Sequence, residues 1–230
     1  MKQKYLYLGI DLLVFTVPFL FSFHPKANFS RKWKYILPAI AGTAVVFVAW
    51  NLLFTSLGIR GFNSRYTTGE TALGLPVEDI LFFISIPYAI LFMYFALNHL
   101  MEKDHLFPHQ ELISSVVIVL LLIFGGFYMH HLYTGSVFLV TGLFLTFVWL
   151  KLRMRFMGRV YFLFAVLLIP FSIINGILTG LFTEEPIIWY NNNEYIGIRL
   201  GTIPLEDLVY AFLVLLVSVT ILEKLEETGY

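Results

Sequence analysis

The stretch GLPVEDILFF, Gly74 to Phe83, puts two adjacent carboxylates at the mouth of an otherwise apolar run, and GTIPLEDLVY, Gly201 to Tyr210, repeats the pattern with Glu206 128 residues after Glu78. Proline before the pair suits a helix start, and carboxylates in a first turn are favoured by the helix dipole at ~0.3 to 1 kcal/mol each. Helix capping therefore accounts for one copy as well as chemistry does. Duplication alone does not separate the two accounts, because a duplicated segment inherits its caps along with its sites.

Outward from the two motifs the chain is unusually apolar. Of its 230 residues 59% are hydrophobic, 18% aromatic and 13% charged, and the charges balance to a formal net of zero. That balance gives no footprint for nucleic acid, and the apolar excess exceeds that of a soluble domain, so the chain is expected to be an integral membrane protein. The absence of cysteine removes disulfides, thiolate nucleophiles and thiolate-bound metals together. Lys2 and Lys4 precede a long apolar run with no small-residue cleavage site after Phe23, which reads as a retained first helix rather than a signal peptide.

Runs of the length that crosses a bilayer, roughly 17 to 25 residues, fall near 5–23, 35–57, 77–99, 112–131, 135–151, 160–181 and 204–222. The predicted fold class is all-α integral membrane with seven transmembrane helices. Loops on the C-terminal side hold Lys26, Arg31, Lys32, Lys34, Lys103, Lys151, Arg153, Arg155, Arg159 and Lys224, against Lys2, Lys4, Arg60, Arg65 and Arg199 on the other. Ten against five predicts a cytoplasmic C-terminus and an outside N-terminus, in the plasma (inner) membrane.

The acidic motif belongs to a longer internal repeat. Asn51 and Asn175 each precede a threonine by four (Thr55, Thr179), and each is followed by a polar loop and then Pro-x-Glu-Asp; Asn to Glu is 27 residues in the first copy and 31 in the second. Helices 1 to 3 then answer to helices 5 to 7, with helix 4 as a spacer that restores direction. The implied organisation is a first repeat over 1–100, a spacer over 101–134 and a second repeat over 135–230, as parallel repeats about an axis along the membrane normal. Glu78, Asp79, Glu206 and Asp207 lie in first turns near one interface, Asn51 and Asn175 near the same ends of helices 2 and 6, Asp11 about a turn and a half into helix 1, and His130 with His131 at the end of helix 4. A cavity open at that level and greasy below is expected.

Phe82 follows Glu78 by four and Tyr210 follows Glu206 by four, which stacks each acid over a ring on one helix face. An acid over a π-face suits carbocation chemistry, in which the acid supplies a proton and the ring steadies the cation by roughly 2 kcal/mol when dry. In a chain with 24 phenylalanines the bland reading is ordinary aromatic packing.

The order of YLYLGIDLLVFTVPFLFSFHPK, AWNLLFTSLGI, FNSRYTTGE, GLPVEDILFFISIPY and IPLEDLVY resembles the membrane-integral lycopene cyclases of carotenoid synthesis, the small type that occurs as two half-size subunits or as fused tandem domains. The resemblance covers nearly the whole chain. It implies a lycopene β-cyclase that closes the ψ end groups of lycopene to β-ionone rings by proton addition, alkene attack and proton loss, without net redox. It further implies acid/base roles for Glu78 with Asp79 and Glu206 with Asp207; where the family's first motif often reads Glu-Glu, this chain has Glu-Asp. A neutral carboxyl in an apolar site can be the acid and a second carboxylate the base. Asn51 and Asn175 are expected to orient the acids, or else to bond backbone at helix ends. Phe82, Tyr210 and Asp11 complete the expected substrate contacts, Asp11 because an ionisable group inside a span defaults to function.

No cofactor is expected, since no Gly-x-Gly-x-x-Gly follows a strand, and no metal, since the histidines lack repeated His boxes. Lycopene and related carotenoids, membrane lipid and other carotenoid enzymes are the implied partners. A transporter of three-plus-one-plus-three layout is the alternative outside enzymes, with Pro18, Pro38, Pro87 and Pro170 as kinks, although transporters bind near the midplane. A prenyltransferase would want Asp-x-x-x-Asp pairs, and a retinal protein a lysine within helix 7.

Overall fold

The computed structural model describes residues 3–24, 29–101, 103–152 and 156–229. Lys2, Lys26, Arg153 and Arg155, counted above for orientation, lie outside the described residues.

Seven helices carry the fold: α1 (Leu6–Phe21), α2 (Trp33–Ser56), α3 (Val77–Leu100), α4 (Gln110–Phe127), α5 (Leu132–Phe147), α6 (Met157–Leu178) and α7 (Leu205–Glu227). All but α1 are long and apolar enough to cross a membrane by length and composition; α1 is a shorter apolar helix of 16 residues. Two differences from the predicted spans bear on the site. α4 stops at Phe127, so His130 and His131 sit in the turn rather than on a helix, and α5 starts at Leu132, which puts Tyr133 and Thr134 in its first turn. Gly125 and Gly142 allow α4 and α5 to pack closely: a side chain at Gly125 would come within 2.8 Å of Leu139, and one at Gly142 within 2.9 Å of Leu122.

The helices alternate in direction, so the starts of α1, α3, α5 and α7 gather at one end with the finishes of α2, α4 and α6. The core forms around α7, whose residues Phe212 to Thr220 are buried without interruption. A helix apolar on all sides gains most by being enclosed, and α7 packs against α2, α3, α5 and α6. α3 is its counterpart, packed on α1, α2, α6 and α7. α2 therefore crosses to the other half's acid-bearing helix just as α6 does.

Six short strands lie at the acid end: β1 (Arg60–Phe62), β2 (Thr71–Ala72), β3 (Leu75–Pro76), β4 (Ile188–Tyr190), β5 (Arg199–Leu200) and β6 (Ile203–Pro204). β2–β3 and β5–β6 are hairpins, each ending in the proline that caps α3 or α7. β1 pairs antiparallel with β4, and its central pair is Gly61 with Trp189. These two residues stand 128 apart, the spacing of Glu78 and Glu206, so the twofold relation between the halves passes through this pair. Flanking bonds obey it: Asn63 N–H donates to the Ile187 carbonyl at 2.9 Å, and Asn191 N–H to the Ile59 carbonyl at 2.8 Å. The four extra residues of the second half fall between Thr179 and Ile187, ahead of β4 and away from the acids.

Candidate active site

Each hairpin hands its proline to the first position outside a helix, which leaves Glu at the second and Asp at the third helical residue. Neither Pro76 nor Pro204 offers a side-chain cap. The carboxylates do not cap their own helices either, because their hydrogen bonds run to other segments. Glu78 Oε1 accepts the Thr68 N–H at 2.6 Å, and Glu206 Oε1 accepts the Ile196 N–H at 2.9 Å. Thr68 and Ile196 are again 128 residues apart. In each half the glutamate thus latches the preceding loop through one oxygen, while the other, Oε2, is buried with no hydrogen-bond partner among the described residues. Thr134 adds a second donor to Glu206 Oε1 at 2.5 Å.

The aspartates sit in polar cages. Asp79 accepts from the Tyr7 hydroxyl at 3.1 Å, Asn51 Nδ2 at 2.9 Å and the Arg60 guanidinium at 3.1 Å. Asp207 accepts from the Tyr133 hydroxyl, Asn175 Nδ2 at 2.8 Å and the Tyr190 hydroxyl at 3.0 Å. The asparagines therefore orient the aspartates rather than the glutamates. All four carboxylates are at most 5% exposed. Burial disfavours the Arg60 charge, but Asp79 beside it more than offsets this and holds the guanidinium above its ordinary range. Tyr190, in β4, is pushed well above the ordinary phenol range by burial and then by Asp207, which keeps it a hydrogen-bond donor.

The two cages meet. Arg60 and Tyr190 are register partners across β1 and β4, so the groups reaching Asp79 and Asp207 start from one ladder. Tyr210, on α7, donates its hydroxyl to Asn51 Oδ1 of the first cage at 3.2 Å and packs edge-on to Phe47 and Trp50. Phe82 is half-buried and meets the Tyr7 ring at 6.2 Å in an edge contact. Asp11 is buried a turn beyond Tyr7 on α1, with neither oxygen partnered among the described residues.

The expected opening at this level is corrected by the burial of all four acids. A cavity of about 220 Å³ lies at the opposite end, lined by Phe29, Lys32, Tyr94, Asn98 and Glu223 among others. At the acid end the two loops close over the carboxylates, and Tyr7, Arg60, Tyr133 and Tyr190 fill the space between helices. His130 and His131 meet with tilted rings whose centroids are 4.4 Å apart, and His131 Nδ1 meets the Asn193 carbonyl at 2.8 Å. Among the described residues no group of three or more histidine, aspartate or glutamate side chains is arranged to hold a metal ion.

Tyr7, Arg60, Tyr133, Thr134 and Tyr190 were not singled out from sequence. A signal for two of them exists: of the three Tyr-x-Gly occurrences, at 7–9, 133–135 and 195–197, the first two fall in the corresponding first turns of α1 and α5. Asn63 with Gly69 and Asn191 with Gly197 mark the matching loops, and both glycines have φ near 87°.

A family model described as lycopene cyclase matches residues 4–97 and 130–225, one block in each half. No curated protein and no solved structure matches the chain.

Proposed function

This chain belongs to the lycopene cyclase family, and on that premise we propose that it is a lycopene β-cyclase in which carboxyls of both halves share one proton-handling site. Membership and the apolar helices make it an integral membrane enzyme of carotenoid cyclisation. The observation that carries the finer reading is the repeated unpartnered Oε2 of Glu78 and Glu206. An ionised carboxylate buried without a partner is far costlier than a neutral one. Each glutamate is therefore read as a neutral acid that accepts a loop amide on one oxygen and keeps its proton on the other.

Asp79 and Asp207, each held by three donors, are read as the anions. A proton added to the terminal double bond of a ψ end makes a tertiary cation, the neighbouring alkene closes the ring, and a carboxylate takes the ring proton. The proton count balances and no electrons are exchanged. Asp207 has no cation bonded to it and is the better base, whereas Arg60 occupies Asp79. Phe82 and Tyr210 supply rings beside the site that can face the cation. The β1–β4 ladder and the Tyr210–Asn51 bond favour one composite site over two independent ones. The halves are read as residues 1–100 and 132–230 with α4 between them, because α5 begins at Leu132, and the ten-to-five basic asymmetry favours the outer face of the plasma membrane for the acid end.

The test is pigment chromatography of lycopene-accumulating cells that express wild type, Glu78→Gln or Glu206→Gln at matched levels in the membrane. Wild type should give γ-carotene and β-carotene, and each variant should lose about 10² to 10⁴ in rate. A well-expressed wild type that leaves lycopene unchanged would sink the reading. Full activity in one variant would dismiss the composite site.

A further inference from the structure

The two halves match closely at the acids and differ just below them. Tyr7 and Tyr133 occupy the same place, each donating to the aspartate of its half. Four residues on, the first half has Asp11 and the second has Val137, both buried. Asp11 is 2% exposed and neither of its oxygens finds a donor among the described residues. Tyr7, one turn before it on the same helix, reaches Asp79 of α3, so Asp11 lies just below the first cage. A carboxylate buried without a donor is far costlier than a neutral carboxyl. It also lies deepest: α1 runs from the acid end into the bundle, and a helix rises ~1.5 Å per residue, so Asp11 sits about 6 Å beyond Tyr7 along the axis.

We propose that Asp11 is a third acid of the first half, the one that meets the isoprenoid end group, with Glu78 above it returning the proton after each turnover. This rests on the cyclase reading. The Asp11 O–H bond breaks as a C–H bond forms at the terminal alkene carbon. Glu78 then gives its proton to the Asp11 carboxylate, and the proton that the ring-closed cation releases to a carboxylate of the site passes on to the Glu78 anion, so every carboxyl ends as it began. Only the first half can perform this step, because Val137 has no proton to give.

Two measurements on the full chain decide it. In lycopene-containing membranes Asp11→Asn should lose about 10² or more in rate while its thermal unfolding midpoint stays equal or rises, because a nearly isosteric neutral amide replaces the acid. In purified protein without substrate, the infrared carbonyl band of protonated carboxylic acids at neutral pH should lose one component in Asp11→Asn, while the components that Glu78→Gln and Glu206→Gln remove stay in place. Should that variant accumulate poorly, Asp11→Glu should keep a shifted band and recover part of the rate. Wild-type turnover by Asp11→Asn, an unchanged infrared band, or an Asp11→Glu with neither band nor activity would each overturn the proposal. The infrared arm needs no turnover, so it still reads the Asp11 proton if the protein cyclises nothing.

Discussion

The first half-site holds its aspartate with a charge and the second holds its aspartate with hydroxyls. Asp79 pairs with Arg60 at 3.1 Å, both groups nearly free of solvent, whereas Asp207 accepts from Tyr133 and Tyr190. By the repeat spacing, Ile188 stands where Arg60 does and Phe62 where Tyr190 does. One scaffold thus carries two electrostatic solutions. A buried ion pair neutralises its carboxylate and weakens it as a base; phenols satisfy the lone pairs and leave the charge available. The comparison teaches that the halves share a frame but not its polar groups, with Asp11 and Arg60 on one side and two phenols around Asp207 on the other.

The strongest way to break this comparison is to remove the cation. Arg60→Met should destabilise the protein by ~3 to 5 kcal/mol, because Asp79 is then buried as an uncompensated charge. Adding Asp79→Asn should recover most of that loss, and denaturant unfolding in detergent of the two single variants and the double variant measures the coupling. A coupling near zero would mean that the pair is not the support of the first half.

A smaller effect should come from the asparagines. Asn51→Ala and Asn175→Ala should each cost ~1 to 3 kcal/mol, since each leaves a buried carboxylate oxygen short of a donor. Asn51→Ala should be the worse, because it also frees the Tyr210 hydroxyl. Equal costs would count against the link between halves. Tyr190→Phe, which makes the second half resemble the first at that place, should cost ~0.5 to 1.5 kcal/mol and lower turnover more than stability. At the small end stands Arg65→Ala. Its pairing with Glu184 is at 2.6 Å but wholly on the surface, so the unfolding midpoint should not move measurably.

Much of this was legible from the chain. Pro-x-Glu-Asp with an apolar run behind it marks a helix start wherever it occurs, and the Asn-to-Glu spacings located both the repeat and its four-residue difference. The cages were not legible in the same way. Arg60 opens β1, 19 residues before the aspartate it pairs with, and a charged residue between two spans of a membrane protein ordinarily reads as an interfacial or topological one. Tyr133 falls in the spacer stretch, because hydropathy starts the fifth helix at 135 whereas α5 begins at Leu132. Only the Tyr-x-Gly echo, visible once α1 and α5 are matched, points to it.

The sequence by itself determined that the chain is a seven-helix membrane protein with two like halves, both acid motifs at one end, and membership of a cyclase family by resemblance. Those follow from hydropathy, helix-start chemistry and spacing, which act locally and repeat. Tertiary structure alone decided that the glutamates latch loops and keep one oxygen unpartnered, that the aspartates are held differently in the two halves, and that loops rather than an open cavity cover them. Each of these depends on groups far apart in the chain meeting in an apolar interior, where one missing or extra donor outweighs any local preference.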